Sequence, residues 1–224
     1  MGNALIAGAT GLIGSQLAGM LAGDGNYDRV IVLSRRPVER DLAGAEVVVI
    51  DFDQLQETLP RLLANRAPED IFCCLGTTIA KAGSQAEFRK VDYHYCLQLA
   101  KVGRELGARH FLLVSAMGAN PSSRNFYSRT KGELEQEVES LGYPRLTIFR
   151  PSLLDGDRGE KRPGEELALS LLRPLQGITE KLMPAYAPIA ATQVAKAMQR
   201  TAASTNDRGV NIIKSDRIRR LALS

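Results

Sequence analysis

Short, nearly unbroken apolar runs alternate along this 224-residue chain with longer stretches whose apolar residues recur at helical spacing. NALIAG (3–8) precedes the helical pattern GSQLAGMLAG (14–23), RVIVLS (29–34) follows, and EVVVI (46–50) leads into QLQETLPRLLA (54–64). DIFCCLG (70–76) precedes a helical stretch over about 84–106, HFLLVS (110–115) precedes one over 127–141, and RLTIFR occupies 145–150. These runs lack the polar alternation of a half-exposed strand. Interleaved with amphipathic helices, they predict a parallel sheet buried on both faces. The expected fold class is α/β, a doubly wound parallel sheet in three α/β/α layers.

Beyond Arg150 the rhythm loosens into RPSLLDGDRGEKRPGEE (150–166), rich in Gly, Pro and charge. Such composition predicts a loop, and loops past strand ends carry binding function. A helix near 165–175, another over 191–203, a strand GVNII (209–213) and a closing helix complete the pattern. The reading is one domain over 1–224, with residues 151–190 as a lid or substrate-binding segment inside it.

Composition adds exclusions. With 44% hydrophobic and 24% charged residues the chain sits in the ordinary globular range and not among disordered sequences. The net charge of +4 and a pI near 9.0 raise the question of nucleic acid. The basic residues, however, are interleaved with 25 acidic ones, and RIRR (217–220) is the one dense cluster, read as a solvated helix face. No nucleic-acid partner is expected. Cys73, Cys74 and Cys96 form an odd set without paired spacing, which predicts reduced thiols packed as small hydrophobes and a cytoplasmic protein. Two histidines leave little for a metal, and no metal site is expected. Residues 1–23 carry no charge, but six glycines and polar residues interrupt their apolarity and no basic start precedes them, so neither a signal peptide nor a membrane span is read. The myristoylation pattern is also incomplete, with Ile6 where Ser or Thr is needed.

The chemistry begins at GATGLIG, directly after the first run, with Gly8, Gly11 and Gly14. The spacing departs from GxGxxG, yet the strand before and helix after are those such a turn requires. Glycines there permit a tight turn and close approach of a pyrophosphate, and the helix N-terminus offers amides and a positive dipole end. Gly8, Thr10, Gly11, Leu12, Ile13 and Gly14 are thus candidate cofactor contacts, although a turn needed only for packing would look the same. At the end of the second run LSRRP places Ser34, Arg35 and Arg36 where a site for plain NAD usually has an acid. Guanidinium forks suit a 2′-phosphate, which favours NADP(H) over NAD. Asp51, with Phe52 beside it, closes the third run, where a carboxylate can take the adenine amine or cap a helix.

YSRTK puts Tyr127 and Lys131 four residues apart, on one face if helical, twelve residues after Ser115. A free tyrosine titrates near ~10, and a neighbouring cation lowers that by roughly one to three units. Lys131 would supply the charge, Tyr127 would protonate a carbonyl oxygen receiving hydride, and Ser115 would hold that oxygen through its hydroxyl. The plainer alternative is a helix with a buried tyrosine and a surface lysine.

Together, the glycine turn, Ser115 and YxxxK resemble the short-chain dehydrogenase/reductase family, across nearly the whole chain. FCCLGTT, RHFLLVSAMGAN, SSRNFYSRTKGELE, FRPSLL and RPGE are similar to its atypical, Tat-interacting-protein-like branch, which is NADPH-binding. The resemblance implies a Rossmann fold and a small carbonyl or alcohol substrate. It implies that Leu75, Gly76, Thr77 and Thr78 line the cofactor, that Lys131 also holds the nicotinamide ribose hydroxyls, and that Pro151 and Leu154 border the carboxamide. Many active members place an asparagine on the helix after the fourth strand; KVDYHY offers Asp92 instead, which either orients Lys131 or caps a turn. Two functions therefore compete: an NADP(H)-dependent oxidoreductase, and a cofactor-bound regulatory or scaffold protein with little turnover. A nucleotide-sugar isomerase or dehydratase ranks last, because the 74 residues after Arg150 leave little cover for so large a substrate. Monomer and homodimer stay open.

Overall fold

The computed structural model describes residues 2–38, 42, 44–155, 187–204 and 208–223. Its elements are β1 (Gly2–Ala7), α1 (Leu12–Gly23), β2 (Tyr27–Ser34), β3 (Glu46–Val49), α2 (Leu55–Leu63) and β4 (Pro68–Cys73). There follow α3 (Ile79–Ala82), α4 (Gln85–Arg89), a π-helical turn (Lys90–Tyr95), α5 (Cys96–Glu105), β5 (His110–Val114), α6 (Phe126–Ser140) and β6 (Arg145–Arg150). Then come β7 (Leu154–Asp155), β8 (Ile189–Ala190), α7 (Ala191–Ala203), β9 (Gly209–Lys214) and α8 (Ser215–Leu223).

Seven strands form one sheet in the order β3-β2-β1-β4-β5-β6-β9, and every neighbouring pair is parallel. Side chains alternate across it. Leu5 and Ala7 of β1 join Phe111 and Leu113 of β5 in the core beneath α2, α5 and α6. Ala4 and Ile6 join Phe72, Leu112 and Phe149 in the core beneath α1, α7 and α8. Because both faces are covered, the strands must be apolar throughout, which explains the unbroken runs in the sequence. The order reverses direction between β1 and β4, and such a switch point opens a crevice at the carboxyl ends of the strands.

The helix expected over 84–106 is instead α4, the π-helical turn and α5. The wider turn draws Asp92 and Tyr95 into the interior, and π-turns of this kind recur at functional sites. Of the segment expected to be a lid, Leu154–Asp155 and Ile189–Ala190 pair as a two-stranded parallel ladder; the helix expected near 165–175 lies outside the described residues.

At the amino edge of the sheet, opposite the crevice, polar groups are buried together. Tyr27 donates its hydroxyl proton to Asp70 Oδ2 at 2.5 Å, and His110 Nε2 shares a hydrogen bond with Thr147 Oγ1 at 2.9 Å. Burial, aided by Arg145, pushes the His110 imidazole down to about 3. Burial also pushes the Asp70 carboxyl up to about 6, against the opposing Tyr27 hydrogen bond and Arg145. His110 is therefore neutral at pH 7, and its 3.9 Å approach to Asp70 is not an ion pair. Since the folded state holds His110 below its unfolded value of 6.5, the unfolded chain binds the extra proton and stability falls as pH drops from 6.5 toward 3. Asp70 acts oppositely, adding stability as pH falls through 6. His110→Gln removes only the first effect, so between pH 7 and 4.5 the variant should gain roughly 2 to 3 kcal/mol relative to wild type in urea unfolding.

Candidate active site

The crevice is built from the first turn outward. Gly8 adopts φ +94°, open to glycine without strain, and a Cβ there would meet the Cys74 carbonyl oxygen at 2.4 Å. A Cβ on Gly14 would lie 2.4 Å from the Gly8 carbonyl oxygen. The turn closes through Gly11 N to Gly8 O at 3.0 Å. Gly11 is the N-cap of α1 and supplies no side-chain cap, so the first amides of α1, from Leu12, Ile13 and Gly14, lack intrahelical acceptors and face the crevice edge. Thr10 and Gly11 are exposed there, whereas the Ile13 side chain is buried in the core. This cradle, which any side chain at Gly8 or Gly14 would fill, fits a diphosphate.

Next to it, Arg35 and Arg36 are exposed. Ser34 is buried and turns its hydroxyl onto the Arg36 carbonyl oxygen at 2.7 Å, which fixes the backbone that carries both arginines. Arg35, Val49, Ile50 and Asp51 line an open cleft of about 340 Å³. Asp51 Oδ1 accepts from Asp53 N at 2.9 Å, so the capping reading is realised, while the residue also borders the cleft. Phe52 departs from expectation: its ring is buried against Tyr95, with centroids 5.4 Å apart. Its side chain belongs to the core, which leaves only its backbone for any ligand.

After β4, Leu75 packs partly against the core, Gly76 is exposed, and Thr78 caps α3 by accepting from Lys81 N at 3.0 Å. Thr77 N donates to Asp92 Oδ2 at 2.8 Å. The other oxygen of Asp92 pairs with Lys131 Nζ at 2.7 Å. Both ions are buried, at 1% and 3% exposure. Burial alone would lower the Lys131 pKa, but Asp92, with Tyr127 and Cys96 adding to it, holds the ammonium above the ordinary lysine range. Of the two roles left open for Asp92, the structure shows both: one oxygen orients Lys131 and the other holds the turn after β4 through the Thr77 amide.

Helix α6 starts at Asn125, whose side chain accepts from Ser128 N at 3.0 Å. Gly132 lets the preceding loop lie against it, since a Cβ there would meet the Asn120 carbonyl carbon at 2.3 Å. Tyr127, Lys131 and Glu135 then recur every four residues along one face. Tyr127 is 37% exposed and its ring rests on Phe88, centroids 5.5 Å apart.

Ser115 extends the β5–β6 pairing through its N–H to Phe149 O at 2.8 Å, and Met117 N continues it to Pro151 O at 2.9 Å. Pro151 is thereby placed beside the site, buried, with Leu154 half-buried beyond it. The Ser115 hydroxyl donates to Glu135 Oε1. Arg150 clamps the same carboxylate, its Nε 3.0 Å from Oε1 and 3.2 Å from Oε2, with Nη2 also on Oε2. Glu135 and Arg150 escaped the sequence reading. Their signal was present in the four-residue step from Lys131 to Glu135 and in the pairing of β5 with β6.

Among the described residues no three His, Cys, Asp or Glu side chains converge on a metal position, and no helix is long and apolar enough to cross a membrane. The chain belongs to the NAD dependent epimerase/dehydratase family, whose model matches residues 4–182. Within that class it falls in the atypical short-chain dehydrogenase/reductase group. It is 40% identical over 166 residues to Protein HTATIP2 of Rattus norvegicus, covering 73% of this chain and 67% of that protein. It is 38% identical over 156 residues to "Protein FMP52, mitochondrial" of Debaryomyces hansenii, covering 70% and 68%. Its fold is similar to that of Thermotoga maritima UDP-glucose 4-epimerase solved with UDP-glucose, at TM-score 0.70 and 20% identity, covering 99% of this chain and 80% of that one. MoeE5 in complex with UDP-glucose and NAD gives TM-score 0.69 at 18% identity, covering 97% and 79%. The family is thus one of NAD(P)-dependent, oxidoreductase-type enzymes.

One expectation is corrected. Relatives from Debaryomyces hansenii, Aspergillus niger and Aspergillus fumigatus are named mitochondrial, which contradicts the cytoplasmic placement. The inference from cysteines had no power to decide. Burial pushes the Cys74 thiol up to about 12, and a hydrogen bond with Cys73, together with burial, holds Cys96 well above its usual value; thiols this inert stay reduced in more than one compartment.

Asp92→Asn keeps the shape of the side chain but strands the Lys131 charge in the interior. It should destabilise the fold by about 3 kcal/mol in chemical denaturation, and the double variant Asp92→Asn/Lys131→Met should recover most of that loss.

Proposed function

We propose that this protein is an NADPH-dependent reductase of a small carbonyl compound, able to run the reverse alcohol oxidation, with Tyr127 as proton donor. The observation that carries this reading is the buried Lys131 ammonium, fixed by Asp92 on the helix face that also bears Tyr127. A bound NADPH supplies hydride to the carbonyl carbon. Tyr127 gives its phenolic proton to the carbonyl oxygen as the new C–H bond forms, and the charge left on its oxygen is offset by Lys131. Solvent, which Tyr127 meets at the mouth of the crevice, returns the proton. One of the three Lys131 donors is committed to Asp92, which leaves two for ribose hydroxyls.

The glycine cradle and the uncapped start of α1 support a diphosphate, with Thr10, Gly11 and Gly14 around it. Arg35 and Arg36 support NADPH over NADH, because both are exposed without a side-chain partner among the described residues and Arg35 lines the cleft that would take an adenosine 2′-phosphate. Gly76, Thr77, Pro151 and Leu154 would line the nicotinamide half, and residues 151–190 would supply the substrate pocket. The mitochondrial names of the fungal relatives favour that compartment for this chain as well.

A second reading, a cofactor-bound regulatory protein with little turnover, draws on one observation: the Ser115 hydroxyl donates to Glu135 rather than being free for a substrate oxygen. Turnover separates the two. With a panel of small ketones and aldehydes, Tyr127→Phe should lower kcat for NADPH oxidation by about 10² to 10⁴ while NADPH affinity changes little. Tight NADPH binding with no carbonyl-dependent oxidation in the wild type would favour the regulatory reading. Arg35→Ala/Arg36→Ala should weaken NADPH by about 10- to 100-fold and NADH far less, measured by fluorescence titration; equal losses would remove the 2′-phosphate assignment.

A further inference from the structure

The π-helical turn reaches two places at once. Residues three apart on an α-helix sit roughly 60° from each other around the axis; the wider turn spreads Asp92 from Tyr95, and both are buried. Asp92 serves Lys131 and the turn after β4. Tyr95 instead contacts the short 3-10 turn Phe52–Gln54 that follows β3. Its ring lies against Phe52, and its hydroxyl donates to Asp53 Oδ1 at 2.7 Å. Lys90 Nζ holds the other oxygen of Asp53 at 2.8 Å, but that pair is 39% and 54% exposed, and such pairs contribute little. The Tyr95 phenol, in a residue only 8% exposed, needs an acceptor, which Asp53 supplies. From Asp53 the chain of contacts runs on: its N–H donates to Asp51 Oδ1 at 2.9 Å. Asp51 lines the cleft beside Arg35, and among the described residues its second oxygen has no hydrogen-bond partner.

We propose that Asp53 and Tyr95 are positioning residues for the base of the cofactor: they hold the turn on which Asp51 presents its second oxygen to the adenine amine. The π-helical turn thereby braces both ends of the cofactor site, the catalytic end through Asp92 and Lys131 and the adenine end through Tyr95 and Asp53. This rests on the NADPH-binding reading above, in which the cleft at Arg35 and Asp51 takes the adenosine half, and is independent of whether the protein turns over a carbonyl.

The choice of base tests it by binding alone. Nicotinamide hypoxanthine dinucleotide phosphate has a C6 carbonyl, with a proton on N1, where NADP⁺ has the adenine amine. A carboxylate accepts from the amine and repels the carbonyl oxygen, so calorimetry should find NADP⁺ bound at least about tenfold tighter by the wild type. Tyr95→Phe keeps the ring against Phe52 and removes only the hydroxyl; the preference should fall to about threefold or less. Asp53→Ala, at an exposed position, should lower it equally, and it serves if the phenylalanine variant does not fold by its circular dichroism melt. A general loosening of the fold would weaken both dinucleotides and leave their ratio unchanged, so a ratio that survives the substitutions would overturn the proposal. Equal affinities in the wild type would also overturn it while leaving the NADPH-binding reading intact. Failure of the wild type to bind either dinucleotide would remove that reading and this proposal with it. A preference lost in the variants, with or without carbonyl-dependent turnover, would sustain the role of Asp53 and Tyr95.

Discussion

A single ion pair, Lys131 with Asp92, ties the working parts of this protein together. Two opposite charges are removed from water between the turn after β4, the π-helical turn and α6. Desolvating them is unfavourable by several kcal/mol for each ion, and the interior tolerates it only where geometry is good and the remaining valences are filled. Here Asp92 is filled twice, by Lys131 at 2.7 Å and by the Thr77 amide at 2.8 Å. The pair fixes where the β4 turn lies relative to α6, and with it the distance between the proposed cofactor bed and the proposed proton donor.

The rest of the site follows a charge order along α6. A phenol at the solvent edge rests on Phe88 of α4, a buried cation one turn deeper pairs with Asp92, and a buried carboxylate one turn deeper again is held by Arg150. The cation is neutralised from the π-helical turn through Asp92 and the carboxylate from β6 through Arg150. Tyr127 is left as the one member of the row open to solvent, which suits its proposed role as proton donor. The glycine turn lies across the sheet switch point, and the proposed anion bed there would need no side-chain charge, because helix amides would supply the donors.

Much of the fold is legible in the amino-acid sequence. The strands announced themselves because a doubly covered parallel sheet forces apolar residues at every position, and the glycine turn because its φ and close approaches admit no Cβ. That Tyr127 and Lys131 stand on one helix face followed from their spacing. Other features depended on contacts between distant segments. No local pattern distinguishes a π-helical turn from an α-helix over 84–106, so the inward turn of Asp92 was hidden. Phe52 stood beside a plausible ligand residue, yet it opens a short 3-10 turn capped by Asp51 and its ring is buried against Tyr95, a distant contact that no local pattern shows. Ser115 was placed correctly at a strand end, but the direction of its proton depended on Glu135, twenty residues away, and on Arg150 beyond that. Asp51 could not be assigned from sequence because capping and adenine contact need the same carboxylate in the same place.

The central claim is that Lys131 is a buried ammonium kept charged by Asp92. Observing the side-chain ¹⁵N resonance of Lys131 through a pH titration tests it with no substrate or cofactor required. The account predicts an ammonium that keeps its proton past 10.5, the ordinary lysine value. A Lys131 that becomes a neutral amine near pH 8 would mean that desolvation wins over Asp92, and would contradict it.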